Sequence, residues 1–150
     1  MTRLEMFKKG CLPAVMACCL LFAAEAFADR MAISSTIANI RSGPGKSYEV
    51  LWQVERYHPV KVNEKSGSWY GFTDYEGDKG WVHKSLLRDI PTVITTREKC
   101  NIRSGPGKNH AVIFSVGSGI PFKILGKKGN WIQIEHADGD RGWIYKSLVW

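Results

Sequence analysis

Apolar and polar residues alternate in short runs along this chain, and nowhere do apolar residues recur at helical spacing over three turns. Residues 131–135 show the pattern: Ile132 and Ile134 form the apolar set, so Trp131 shares the opposite face with polar neighbours. A period of two residues is that of a strand with one buried face. The pattern therefore predicts an all-β protein.

Eight residues, NIRSGPGK at 39–46, return letter for letter at 101–108, which is 62 residues later. If residues 39–88 are laid on residues 101–150 without a gap, 22 of the 50 positions are identical. A gapless match of this length predicts one fold used twice.

The first repeat follows the same alternation, with Trp69 outside and Tyr70 and Phe72 inside. The second repeat has a further alternating stretch at residues 143–145, in which Ile144 points inward and its two aromatic neighbours point outward. Glycines in four short segments predict tight turns in which the backbone turns to positive φ: residues 42–45, 65–68 and 76–78, and the pair Asp138 and Gly139. Five short strands in about 60 residues predict a small barrel. We assign residues 29–88 to the first barrel and residues 89–150 to the second.

Residues 1–28 have the features of a secretory signal peptide. Basic residues precede an apolar run at about 11–24, and the segment closes with Ala26, Phe27 and Ala28. We expect cleavage before Asp29, and no transmembrane segment in the rest of the chain. The alternative is lipidation at Cys18, whose preceding residues partly fit a lipidation box.

Without this segment the chain carries a net charge of +6 and a single cysteine, Cys100. A single cysteine cannot form an internal disulfide, so each barrel must be stable through its core alone. For an exported basic protein, the polyanions within reach are wall polymers, lipopolysaccharide and anionic lipid. We expect weak attraction to such surfaces and no nucleic-acid partner.

The order of motifs resembles the bacterial SH3 family. NIRSGPG comes first, a Gly and Trp pair opens a later strand, and GWVHKSLL at 80–87 or GWIYKSLV at 142–149 closes each copy. The resemblance covers residues 31–150. It implies two five- to six-stranded SH3-like barrels on an exported protein, serving as a targeting or binding module for the cell wall.

The resemblance also indicates a candidate groove in each barrel. In the first, Trp69 is joined by His83 and Leu86; the second copy contains Trp131, Tyr145 and Leu148. His83 and Tyr145 replace the proline, and the leucines replace the tyrosine, of the eukaryotic SH3 peptide site, which argues against PxxP recognition. Exposed aromatics are usual interface anchors. The alternative is that both tryptophans cap the small barrels or bury the contact between them.

Other motifs favour structural roles. We expect Trp81 and Trp143 to be well packed beside their glycines. The RSGPGKS stretch lacks the first glycine of a phosphate loop, so Arg41 and Arg103 are expected to hold neighbouring backbone or a carboxylate. Cys100 aligns with an alanine and predicts a core residue.

The chain gives no indication of catalysis, cofactor or metal. Cys100 has no histidine partner in a recognisable arrangement, and the acidic pair Asp138 and Asp140 lacks the remaining ligands of a calcium loop. The four histidines have no metal-ligand spacing: His58, His83, His110 and His136.

The sequence thus predicts an exported, non-enzymatic envelope protein, periplasmic or secreted. Its expected partner is a cell-wall polymer or stem peptide, or an envelope protein. A further hypothesis is a targeting subunit for a separate envelope enzyme.

Overall fold

A computed structural model describes residues 29–150, which form two antiparallel sheets. The first sheet has seven strands in the order β3-β2-β6-β5-β4-β1-β7. They are β1 (Asp29–Ile33), β2 (Ile37–Arg41), β3 (Val50–Glu55), β4 (Pro59–Ser66), β5 (Trp69–Thr73), β6 (Lys79–His83) and β7 (Leu87–Arg88). A three-residue 3-10 helix, Lys84–Leu86, joins β6 to β7.

The second sheet has six strands in the order β10-β9-β13-β12-β11-β8. They are β8 (Thr92–Ile94), β9 (Cys100–Arg103), β10 (Val112–Val116), β11 (Pro121–Lys128), β12 (Trp131–Glu135) and β13 (Arg141–Tyr145), followed by a 3-10 helix, Lys146–Leu148. Ile94 and Trp150 exchange both backbone hydrogen bonds, so the chain after this helix pairs with β8 as β7 pairs with β1. The all-β prediction is confirmed, and the two sheets repeat the same strand order.

Each sheet curls around one core, because each core draws residues from every part of its sheet. The first contains Phe72 of β5 and aliphatic residues from the other six strands: Ile33, Ala38, Ile40, Val54, Val60, Val62, Val82 and Leu87. The second contains Phe122 with Val93, Cys100, Ile102, Ile132, Ile134 and Ile144. Burying a phenylalanine in a core stabilises a barrel by about 3 kcal/mol. Two cores of this size explain how residues 29–150, in which Cys100 is free, keep their fold without a disulfide.

The glycines of the SGPG turns are required for space, which corrects the expectation of positive φ. Neither Gly43 nor Gly105 has a positive φ, whereas Gly67, Gly77 and Gly139 do. A Cβ on Gly43 would instead collide with the Tyr48 ring, and one on Gly105 with the His110 ring. The turn folds an aromatic side chain back onto its own backbone.

A short connection, residues 89–91, links the two barrels. Arg30 of β1 crosses it: Nη2 donates to the backbone oxygens of Thr92 at 3.3 Å and of Trp150 at 2.9 Å. The guanidinium also lies 4.0 Å from the centroid of the Trp150 ring, in a cation–π contact. One side chain of the first barrel therefore contacts both ends of the second.

The predicted signal segment and Cys18 lie outside the described residues. The helices of residues 29–150 are single 3-10 turns, and none has the length and apolarity needed to cross a bilayer.

Candidate functional site

A cleft opens on the first barrel where β2 and β6 separate. These strands pair at Arg41 and Trp81, and beyond that pair they diverge. The outward side chains of β2 then stand apart from those of β5, β6 and the following 3-10 helix. The cleft between them measures about 470 Å³. It is lined by Ile37, Asn39, Arg41, Lys46, Gln53, Trp69, His83, Ser85 and Leu86.

One wall of this cleft is aromatic. Trp69 and His83 are cross-strand partners, and their rings meet edge to face with centroids 5.3 Å apart. The Ser85 hydroxyl lies 2.7 Å from His83 Nδ1, and the Ser85 backbone N–H donates to the same atom at 3.3 Å. Nδ1 is therefore the acceptor and the ring N–H is at Nε2. Because His83 caps the 3-10 helix, it also fixes Leu86 at the end of the cleft.

The second barrel has an equivalent cleft of about 540 Å³. Trp131 and Tyr145 repeat the edge-to-face pair, again with centroids 5.3 Å apart. The cleft is lined by Lys99, Asn101, Arg103, Lys108, Trp131, Tyr145, Ser147 and Leu148. Six of these residues are identical to their counterparts in the first cleft, and Lys99 occupies the position of Ile37.

The six groove residues singled out from the sequence thus fall into two sets of three, each set in one cleft. Leu86 and Leu148 line the clefts and also pack against the cores of their barrels. The sequence interpretation missed the opposite wall, formed by Asn39, Arg41 and Lys46 and their repeats. The signal for that wall was the repeated NIRSGPGK segment itself.

Arg41 and Arg103 hold the SGPGK loop, as expected. Arg41 Nη1 donates to the backbone oxygens of Lys46 at 3.1 Å and Tyr48 at 2.9 Å. Arg103 Nη1 makes the same two bonds, to Lys108 at 3.2 Å and His110 at 2.9 Å. Each arginine thereby places the loop lysine at the rim of its cleft.

Trp81 lies on the outer face of the sheet, so the expectation of a well-packed residue needs correction. It is half-buried, belongs to neither core, and covers its cross-strand partner Gly71. A Cβ on Gly71 would lie 3.2 Å from the Trp81 ring. Of the two adjacent residues Gly80 and Trp81, it is the glycine that faces the core. Trp143 is also half-buried on the outer face.

Cys100 is fully buried in the second core, where Ala38 stands in the first. Burial raises the pKa of its thiol, despite the opposing effects of the Arg97 carbonyl and charge. The thiolate that a nucleophile needs is therefore disfavoured.

Replacing Cys100 with serine should cost about 1 kcal/mol of stability, because it places a hydroxyl in an apolar core. Thermal unfolding measures this, with Cys100→Ala as the control that copies the first barrel. Binding and any release of fragments from peptidoglycan should be the same in all three proteins. Fragment release that disappears in Cys100→Ser would contradict a purely structural role.

An acidic turn follows β5 in the first barrel. Oxygens of Asp74, Glu76 and Asp78 lie within 4.8 Å of one another. Asp74 is buried, and its Oδ1 accepts the backbone N–H groups of Glu76 and Asp78 at 2.9 Å each. The geometry of the three carboxylates could hold a cation, although Asp74 already serves as the hydrogen-bonding centre of the turn.

His58, next to this turn, is buried, and within the described residues its Nε2 has no hydrogen-bond partner. Burial lowers the pKa of His58, and the nearby Asp74 charge only partly offsets it. The unfolded chain therefore binds a proton more readily than the folded one. Stability should fall as pH drops below 6.5, the ordinary pKa of histidine, and continue to fall until the lower folded pKa is reached.

We expect His58→Ile, which copies Ile120 of the second barrel, to flatten this acid-side loss. Melting temperatures of both proteins at pH 7.5 and pH 5 measure it. An equal drop in the two proteins would show that another group causes the acid sensitivity.

The fold and its two aromatic clefts define a pair of small SH3-like barrels. The family model for the bacterial SH3 domain matches the chain twice, over residues 34–89 and 96–150. The chain therefore belongs to the bacterial SH3 domain family.

Among curated relatives, YrvJ of Bacillus subtilis, assigned as an N-acetylmuramoyl-L-alanine amidase, is 28% identical over 78% of this chain and 24% of its own length. LytH of Staphylococcus aureus, assigned as a cell wall amidase, is 40% identical over 34% of this chain. The chain spans 18% of LytH, so only a minor part of each relative is shared. A solved NlpC/P60 family protein from Bacillus cereus aligns with 81% of this chain and 56% of its own, at 16% identity and a TM-score of 0.37.

Proposed function

We propose that this protein is an exported, non-enzymatic binding module of the cell envelope whose ligand is peptidoglycan or another cell-wall component. The observation that carries the proposal is the repetition of one cleft. Both barrels present a tryptophan against a second aromatic ring, opposite the same Asn, Arg and Lys residues. Half-exposed aromatic rings beside polar groups are typical binding anchors.

The relatives favour the wall as the source of the ligand. YrvJ carries the name of an N-acetylmuramoyl-L-alanine amidase and LytH that of a cell wall amidase, and the part of each that matches this chain is a minor one. We infer that the shared part attaches such proteins to the wall. The burial of Cys100 supports a binding role here, because it removes the one cysteine of residues 29–150 from use as a nucleophile.

Co-sedimentation of the purified protein with isolated sacculi tests the proposal. We expect the protein to pellet with sacculi in a saturable manner and to remain in the supernatant without them. Intact sacculi should also retain their mass, since no fragments should be released. Protein that stays in solution at every sacculus concentration would refute wall binding.

A protein partner is the second candidate, either an envelope protein or a separate enzyme that this chain targets. The equivalent edge strands β3 and β10 favour it, because both expose adjacent aliphatic side chains. These are Val50 and Leu51 in the first barrel and Val112 and Ile113 in the second. Pulldown from envelope extract, with and without sacculi, separates the two candidates: a partner retained without sacculi supports the second.

Export is part of the proposal, with the periplasm or the exterior as the destination. We expect the mature protein to begin at Asp29, because Ala26 and Ala28 bracket Phe27 after the apolar run. Mass spectrometry of protein from envelope fractions measures the N-terminus. A lipid-modified Cys18 at the N-terminus would instead place the protein on a membrane.

A further inference from the structure

The wall of each cleft opposite the tryptophan presents hydrogen-bond donors. In the first barrel, Gln53 Nε2 donates to Asn39 Oδ1 at 2.7 Å. In the second, Ser115 Oγ donates to Asn101 Oδ1 at 2.8 Å. The asparagine oxygen is thus occupied in both barrels, although by a different neighbour in each. The Nδ2 group of Asn39, and that of Asn101, keeps its two N–H donors at the cleft wall.

The second aromatic residue of each cleft adds a further donor. His83 uses Nδ1 as an acceptor toward Ser85 and so carries its proton on Nε2. The Tyr145 oxygen accepts from Asn130 Nδ2 at 3.4 Å, which leaves the tyrosine O–H free to donate. The chemistry of this position is therefore the same in both barrels, although the residue differs.

The charged groups in the clefts are all cations. Lys46 and Arg41 line the first, and Lys108 and Arg103 line the second, where Lys99 adds another positive charge. The described residues that line the two clefts include no aspartate or glutamate. An anionic ligand would meet only favourable charges there.

The geometry favours a carboxylate over a phosphate. A phosphate loop points several free backbone N–H groups at its ligand. Here the loop amides bond within the loop: Gly45 donates to the Gly43 oxygen, and Gly107 to the Gly105 oxygen. The two arginines also use Nη1 on loop carbonyls, so Nη2 and Nε of each guanidinium, the lysine ammonium groups and the asparagine amides remain for the ligand.

We propose that both clefts bind a carboxylate that lies next to an apolar or sugar-like face, with the face on the tryptophan and the carboxylate at the loop lysine. This inference rests on the proposed wall-binding function and specifies its ligand as the carboxylate-bearing peptide of the wall. Lys99 makes the second cleft the stronger anion site, whereas the first has the exposed Ile37 in that place.

The test compares binding of the full protein to untreated sacculi and to sacculi whose carboxyl groups have been converted to neutral amides. Vesicles containing anionic phospholipid form a third arm, which supplies phosphate instead. We expect amidation to weaken binding about tenfold or more, as the loss of a charged hydrogen bond does. Binding to the vesicles should be weaker than to untreated sacculi.

Lys99→Gln with Lys108→Gln removes the lysine cations of the second cleft and leaves Lys46 in the first. It should therefore produce part of this loss on untreated sacculi and a smaller loss on amidated ones. Lys127→Gln with Lys128→Gln is the matched control, since it removes the same charge from exposed residues outside the cleft. Unfolding curves of both double variants verify that the barrels are intact.

The possible results distinguish a failure of the proposed wall binding from a failure of the carboxylate inference. Failure to bind untreated sacculi overturns the proposed function, and this inference with it. Binding that is equally strong after amidation, or equally reduced by both lysine pairs, overturns the inference alone. Binding to vesicles that exceeds binding to sacculi and depends on Lys99 and Lys108 assigns the clefts to phosphate and refutes the carboxylate.

Discussion

Replacing both Trp69 and Trp131 with alanine should nearly abolish binding to sacculi, while both barrels stay folded. Each ring forms one wall of a cleft and meets its aromatic partner at 5.3 Å. Truncating an anchor of this kind costs about 2 kcal/mol or more, which is about 30-fold in affinity per cleft. Neither tryptophan belongs to a core, so the free energy of unfolding should change much less.

Trp81→Ala is the matched control for this experiment. It removes another half-buried tryptophan from the outer face of the same sheet, but Trp81 does not line the cleft. Its loss should leave binding intact and should cost less than the 3–5 kcal/mol typical of a tryptophan in a core. Binding isotherms and thermal unfolding, measured on the same preparations, separate the two effects.

Two results would contradict this assignment. Unchanged binding of the double variant would place the ligand elsewhere on the protein. If Trp69→Ala instead unfolds its barrel while Trp81→Ala leaves it intact, Trp69 has a structural role, and the assignment of His83 and Tyr145 as its partners in a binding cleft fails with it.

The fold could be predicted from the sequence because period-two alternation fixes which side chains are inside. Ile132 and Ile134 are buried and Trp131 is half-exposed, as the alternation requires. Because the repeat has no gaps, the inward or outward direction of a side chain in one barrel also predicts that of its counterpart in the other. The extra strand β7 was harder to foresee, since a two-residue strand has no periodicity of its own.

Half of each cleft could also be predicted, since Trp69 and His83 lie opposite each other in a hairpin. The other half depends on the separation of β2 from β6 after one residue pair, which is a long-range property of the closed sheet. The donor character of Asn39 could not be read from sequence either, because it depends on which neighbour, Gln53 or Ser115, occupies the amide oxygen.

The SGPG turn shows how a correct element can be predicted for the wrong reason. Glycine indicated a turn, and a turn is present, but the backbone there stays at negative φ. What excludes a side chain at Gly43 is the ring of Tyr48, five residues further along. Pattern alone does not distinguish a conformational need from a spatial one.

Gly142→Ala should destabilise the second barrel by about 3 kcal/mol or more, at the upper end of the cost of overpacking a core. An added Cβ would lie well under 3.0 Å from Ile102 Cγ2 and 3.1 Å from both the Arg103 oxygen and Ile113 Cδ1. A backbone oxygen cannot rotate away as a side chain can. The severe contact is with Ile102, a buried core residue of β9, so we expect the alanine to push β13 away from β9 near the residue pair Trp143 and Arg103.

Because this pair also forms the closed end of the cleft, the same substitution should weaken ligand binding even at temperatures where the barrel remains folded. Gly126→Ala is the control: it lies in a strand of the same barrel, and its added Cβ would meet only Gln133 Oε1, at 3.7 Å. Gly80→Ala, in the first barrel, should repeat the effect by colliding with Ile40. Urea unfolding followed by tryptophan fluorescence ranks the three variants. Equal stability of Gly142→Ala and Gly126→Ala would mean that β9 and β13 can separate at little cost, and the cleft would then not depend on this contact for its shape.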